Sequence, residues 1–245
     1  MDIEEYRKQF IDELRFNAEH EGTEPETQFI EKYLSDLEEI GELNDPIPMS
    51  VEMRGSRNRL LAFDAYAYDE ADGALILIAS DFTNERDSTP TLTNSRIEDI
   101  YTHMLNFLDE CVQGNISKYC DDSDPALIIA NEFRKKIGKG LLSTEILRFK
   151  FFILSNATLS KQVKNLSKPE FLGRPVELNV WTLERFYQTF ASNSSEIIEI
   201  DTTDFGCDGI QCLKADIGVD SEYDAYLGIV PGKFLADIYL KYGSK

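Results

Sequence analysis

The strongest constraint in this chain is a change of period. Between Ile47 and Phe82 the apolar residues leave helical spacing and alternate as strand residues do. IPMSVEMRG, NRLLAFDAYAYD and GALILIASDF read as three successive strands, at 47–54, 58–68 and 73–82. The polar run Asp69-Glu70-Ala71-Asp72-Gly73 supplies the turn between the second and the third. Links this short allow only antiparallel neighbours, because a parallel return needs a dozen or more residues.

Helices flank the run. Ile3, Tyr6, Phe10, Ile11, Leu14 and Phe16 predict a helix over 3–19. Thr23 or Glu24, before Pro25, starts a second. Its apolar stripe is Phe29, Ile30, Tyr33, Leu34, Leu37 and Ile40, and Gly41 with Asn44-Asp45-Pro46 stops it. Downstream, TLTNSRIEDIYTHMLNFLDECV is a long helix with Ser95 and Glu98 at capping-box spacing. Ile97, Ile100, Met104, Leu108 and Cys111 form its buried row, and His103 lies off that row as a surface histidine.

PALIIANEFRKKIG is a further helix and EILRFKFFILS a strand. PVELNVWTLERFYQTFAS is a strand running into a helix at Thr182, and EIIEIDTT and IQCLKADIG are short strands around the turn FGCDG. This order predicts an α/β (α+β) fold, a mixed sheet with an antiparallel three-stranded meander flanked by helices. Residues 1–140 hold the helical start and the meander, and residues 141–245 a β-α-β extension, the two joined as one continuous globular unit.

The charge limits what such a surface attracts. With 45 acids against 25 bases the formal net charge is -20, without a Lys/Arg-rich run. Nucleic-acid binders gain much of their affinity by neutralising phosphates, so the whole chain repels DNA at long range. No window approaches the roughly 18 apolar residues of a membrane span, and the acidic amphipathic start MDIEEYRKQF is not a secretory signal. A cytoplasmic location is expected. The four cysteines lack zinc-type spacing and are expected to be reduced structural thiols.

The meander carries two acids of interest, Asp64 and Asp81. With the turn centred near Ala71, Asp64 falls opposite Ile78 or Ala79, one or two residues of register from Asp81. On strict alternation Ala62, Asp64 and Tyr66 share one side, and Leu61, Phe63 and Ala65 the other. This layout is similar to the restriction-endonuclease-like PD-(D/E)xK fold. The resemblance implies an Asp on the second strand and a Glu-x-Lys on the third, holding Mg²⁺ and activating water. Asp64 matches the first position. Ala79-Ser80-Asp81 stands at the second and matches neither end, so Asp64 and Asp81 are candidate catalytic and metal residues of vestigial form. A divergent Mg²⁺ nuclease would need Glu31 or Glu38 as a further ligand, and Arg86 or Lys150 in place of the lysine. Without activity, Asp64 would bond a helix end and Asp81 would cap the following loop.

The C-terminal stretch YLGIVPGKFLADIYLKYGSK resembles the abortive infection phage resistance (AIPR) family. There a Pro-Gly-x-x-Leu-Ala-x-x-Tyr-x-x-Tyr-Gly run leads into a long further segment; here it is Pro231, Gly232, Leu235, Ala236, Asp237, Tyr239, Tyr242 and Gly243. VELNVWTLERF, GIQCLKADI and LAFDAYAYDEADGALILIASDF also look like the region before that segment. The resemblance implies bacterial phage defence and a longer protein whose N-terminal region this is. Its expected partner is the C-terminal remainder, with nucleic acid engaged only in the full-length protein. No cofactor is expected, apart from Mg²⁺ under the nuclease alternative. A second alternative is a protein-interaction module that senses a phage component.

Overall fold

Asp2 and Gly22 bracket the first helix. The Asp2 carboxylate accepts from the Glu5 backbone N–H at 2.8 Å, and Gly22 takes the left-handed conformation (φ 70°) that ends the helix. In the computed structural model this helix is α1 (Ile3–Glu21), followed by α2 (Pro25–Glu39), which opens with Pro25 in its first turn. The structure describes residues 2–138, 145–161, 163, 169–191, 200–206, 209–214 and 226–242. They fall into two compact units, 1–192 and 193–245.

In the first unit, strands β1 (Ile47–Arg54), β2 (Leu60–Asp69) and β3 (Ala74–Asp81) form the expected meander. A two-residue strand β4 (Thr91–Leu92) precedes helices α3 (Asn94–Gln113) and α4 (Pro125–Ile137). Then come β5 (Arg148–Ser155), β6 (Thr158–Leu159), β7 (Glu170–Phe171), β8 (Arg174–Trp181) and the short helix α5 (Leu183–Phe186). The main sheet has the order β1-β2-β3-β5-β8-β7, with β3, β5 and β8 parallel and the other pairs antiparallel. It is a mixed sheet, and it continues without a break past residue 140. The link from β3 to β5 carries α3 and α4, as a parallel neighbour requires.

Both faces of the central strands are covered, so β3 reads as a nearly continuous apolar run rather than an alternating one. Leu75, Leu77 and Ala79 join Phe149, Phe151 and Ile153 in a core with Ile97, Met104 and Phe107 of α3 and Phe133 of α4. Ile76, Ile78, Phe152 and Leu154 face the other way, into a core with Phe10 and Leu14 of α1 and Phe29, Tyr33 and Leu37 of α2. Each fully buried side chain of this size contributes about 1.5–3 kcal/mol of transfer free energy. The result is three layers, a helix pair on each face of the sheet.

A buried acid ties the meander to α3. Glu110 is 0% exposed and accepts from the Ser56 N–H (3.0 Å), Arg59 (2.9 Å) and Asn115 (2.8 Å). Burial pushes its carboxyl up, but the hydrogen bonds from Asn115, Ser56 and Arg59 outweigh burial and hold it below the usual range.

Several local expectations change. The helix cap of α3 is Thr93, whose hydroxyl accepts from the Arg96 N–H at 3.3 Å, and not a Ser95–Glu98 box. In the second unit the described end of EIIEIDTT is a 3-10 turn, Thr202–Phe205, because the Asp201 carboxylate captures the Thr203 N–H at 2.9 Å. The remainder of that expected strand lies mostly outside the described residues. The unit also holds an antiparallel ribbon, β9 (Cys212–Lys214) with β10 (Tyr226–Gly228), and helix α6 (Gly232–Tyr242). Among the described residues, no helix is long and apolar enough to cross a membrane.

Candidate functional site

Alternation along β2 fails at Asp64. Leu61, Phe63, Tyr66 and Tyr68 face the α3/α4 core, whereas Ala65 and Ala67 face the α1/α2 core. The cause is a β-bulge. Pro48 pairs with Ala65 and Val51 with Phe63, so Met49 and Ser50 of β1 stand opposite the single residue Asp64. Ala65 therefore does not share a side with Leu61 and Phe63, as strict alternation expected. On its other edge β2 pairs with β3 from Ala65↔Ile78 to Asp69↔Ala74, which sets Asp64 beside Ala79 as the register predicted.

At the bulge the Asp64 side chain takes over a bond of the ladder. Its Oδ2 accepts from the Ser80 backbone N–H at 2.7 Å. The Ser80 hydroxyl in turn donates to Glu26 of α2 at 3.1 Å. These residues line a cleft of about 200 Å³ together with Ser50 and Glu52 of β1 and Arg96 and His103 of α3. Burial pushes the Asp64 carboxyl up, the bonds from Ser80 oppose this in part, and nearby Glu52 adds to the rise.

Asp81 has other partners. Arg96 Nε donates to its Oδ1 at 2.8 Å and the Ser155 hydroxyl to its Oδ2 at 3.1 Å. The bond to a helix end thus falls to Asp81, through Arg96 in the first turn of α3, while Asp64 serves a strand. Between them Ala79 is buried against the α3/α4 core and brings no side-chain oxygen.

The proposed stand-ins are engaged elsewhere. Arg86 pairs with Asp12 at 2.8 Å, and Lys150 reaches the hairpin turn, 3.0 Å from Asp69 and 2.8 Å from Asp72. Glu31 accepts from Gln28, and Glu38 from the Asp45 N–H. Among the described residues, no three His, Cys, Asp or Glu side chains are grouped so as to hold a metal ion. Asp64 and Asp81 are instead each engaged by protein donors, Ser80 for the one and Arg96 and Ser155 for the other.

Sequence patterns missed most of the cleft. His103, expected at the surface, is half-buried there. Burial lowers its pKa most; Asp99 and Glu52 push it up, and Arg96 and Arg54 add to the lowering. Glu26 of α2, Ser50 and Glu52 of β1, and Arg96 of α3 come from three separate segments and carry no shared motif. Only Pro25, which fixes the first turn of α2, hinted that Glu26 would sit at a helix start.

With this geometry in view, the model for the abortive infection phage resistance protein N-terminal domain matches residues 29–188. The chain belongs to this family. The matched span starts within α2, ends four residues before the close of the first unit, and includes Asp64, Asp81 and all six strands of the main sheet. Residues 1–28, which include α1, and residues 189–245 lie outside the match to the AIPR domain. No curated protein and no solved structure matches the chain.

Proposed function

We propose that this AIPR N-terminal domain is a phage-defence module with a restriction-endonuclease-like core that does not itself cleave nucleic acid. It serves as a structural or partner-binding domain for the C-terminal remainder of the defence protein. One observation carries the reading: the strand acid at the nuclease position, Asp64, spends its carboxylate on the Ser80 N–H at a bulge. The engagement of Asp81 by Arg96 and Ser155, and the apolar Ala79 between them, support it.

The nuclease alternative draws on one feature, the Ser80 hydroxyl that links Glu26 to the Asp64 cleft and brings a second acid to its lip. The two readings part in a cleavage assay. Purified protein incubated with plasmid or RNA and Mg²⁺ or Mn²⁺ is expected to remain at background. Mn²⁺-dependent cutting that Asp64→Ala abolishes, with the circular dichroism spectrum unchanged, would establish the enzyme instead.

A further inference from the structure

The turn between β1 and β2 reads MRGSRNR, and it places Arg54, Arg57 and Arg59 within six positions of a chain whose net charge is -20. Its backbone is unusual for such residues. Arg57 (φ 57°) and Asn58 (φ 60°) are both left-handed, a conformation for which hairpin turns favour Asn or Gly and which an arginine adopts at a steric cost. Among the described residues no contact accounts for an arginine at that position. Arg57 is exposed and makes no hydrogen bond or ion pair among the described residues.

The turn is held firmly from below. Arg59 is paired with Asp109 and Glu110, both at 2.9 Å, and the Ser56 N–H is bonded to Glu110. Arg54 Nη1 donates to the Asn58 carbonyl at 3.2 Å, which aligns its side chain with the turn, and among the described residues its remaining donors are open. Two exposed guanidinium groups are thus mounted on a rigid tip. Arg54 also stands close enough to His103, in the wall of the Asp64 cleft, to oppose its protonation.

We propose that Arg54 and Arg57 bind the phosphodiester backbone of a nucleic-acid strand. The planar guanidinium fork matches phosphate oxygens in pairs, and a hairpin tip reaches a backbone without bringing the acidic body of the domain into contact. The overall negative field keeps the contact short-ranged, weak and salt-sensitive. This binding is separate from the absence of cleavage proposed above and stands whether or not that reading does.

The test is fluorescence anisotropy of a labelled single strand and of a labelled duplex against the whole protein, titrated from about 50 mM salt upward. The double variant Arg54→Ala/Arg57→Ala is expected to weaken binding about tenfold and to lower the salt slope by about two, one for each phosphate contact. Arg57→Gly separates role from fold, since glycine accepts the left-handed backbone freely. It is expected to melt no lower than the parent while binding more weakly. The proposal is overturned if the parent binds neither strand, if the double variant binds as tightly as the parent, or if Arg57→Gly melts lower. It is equally overturned if poly-glutamate displaces the strand at matched charge, which would assign the tip to acidic proteins.

Discussion

Asp64 is the residue at which the structural and catalytic readings make opposite demands, and two substitutions separate them. Asp64→Asn keeps an oxygen for the Ser80 N–H, and Asp64→Ala removes it. Both variants are uncharged, so the relief of burying a carboxylate cancels between them. What remains is one hydrogen bond to a backbone donor that would otherwise go unmet. An unsatisfied buried donor costs about 1–3 kcal/mol, and the half-buried position of Ser80 favours the lower part, about 1–2 kcal/mol. For a unit of this size that is a melting difference of about 2–8 °C, with Asp64→Ala the lower.

The pH dependence has a definite sign. Burial raises the folded-state pKa of Asp64 above its unfolded value, so folding favours the protonated form. The parent therefore loses stability relative to Asp64→Asn as pH rises from the unfolded carboxylate range through the raised folded value. Above that value the deficit is constant, and below the unfolded range it vanishes. Urea unfolding of parent and both variants at neutral and acidic pH measures these quantities. Equal stabilities of the Ala and Asn variants would refute the bulge-cap role, and a parent that gains on Asp64→Asn as pH rises would show that the Ser80 bonds, not burial, dominate at Asp64. A large Mn²⁺ stabilisation of the parent that Asp64→Asn abolishes would point to a metal site.

Other expectations are independent of the cleft. Glu110→Ala should destabilise the first unit by about 3 kcal/mol, because it strands the Ser56 N–H and Asn115 and removes a buried partner of Arg59, as denaturant titration will read. Since Glu110 is held below the usual carboxylate range, the stability it contributes is complete above its unfolded pKa. It fades as pH falls through the lowered folded value, so the Glu110→Ala deficit should shrink in acid. At physiological salt the protein should bind duplex DNA no more tightly than non-specific binders, with Kd about 10⁻⁴–10⁻⁶ M, and a sub-micromolar value by anisotropy would contradict the charge argument.

Periodicity alone determined the elements: two opening helices, the three-strand meander, the long helix ending near Cys111, and the strand entering a helix at Thr182. These are local signals, because a helix stripe or an alternating strand must present one apolar face whatever it packs against. The register that sets Asp64 beside Ala79 was legible too, since a short hairpin turn leaves little freedom of pairing. The resemblance carried by the C-terminal run also anticipated the family, through motif rather than period.

The tertiary structure decided what depends on residues distant in sequence. Opposite the bulge at Met49 and Ser50, Ala65 faces the other way, and a period-2 reading cannot foresee one extra residue on a neighbouring strand. The parallel run of β3, β5 and β8 and the short strands β4 and β6 rest on hydrogen bonds between separate segments. The fate of each charge was settled in the same way. Lys150 went to Asp69 and Asp72, Arg96 to Asp81, and Arg59 to the buried Glu110, because an ionic partner is chosen by distance and desolvation in the assembled fold, not by spacing along the chain.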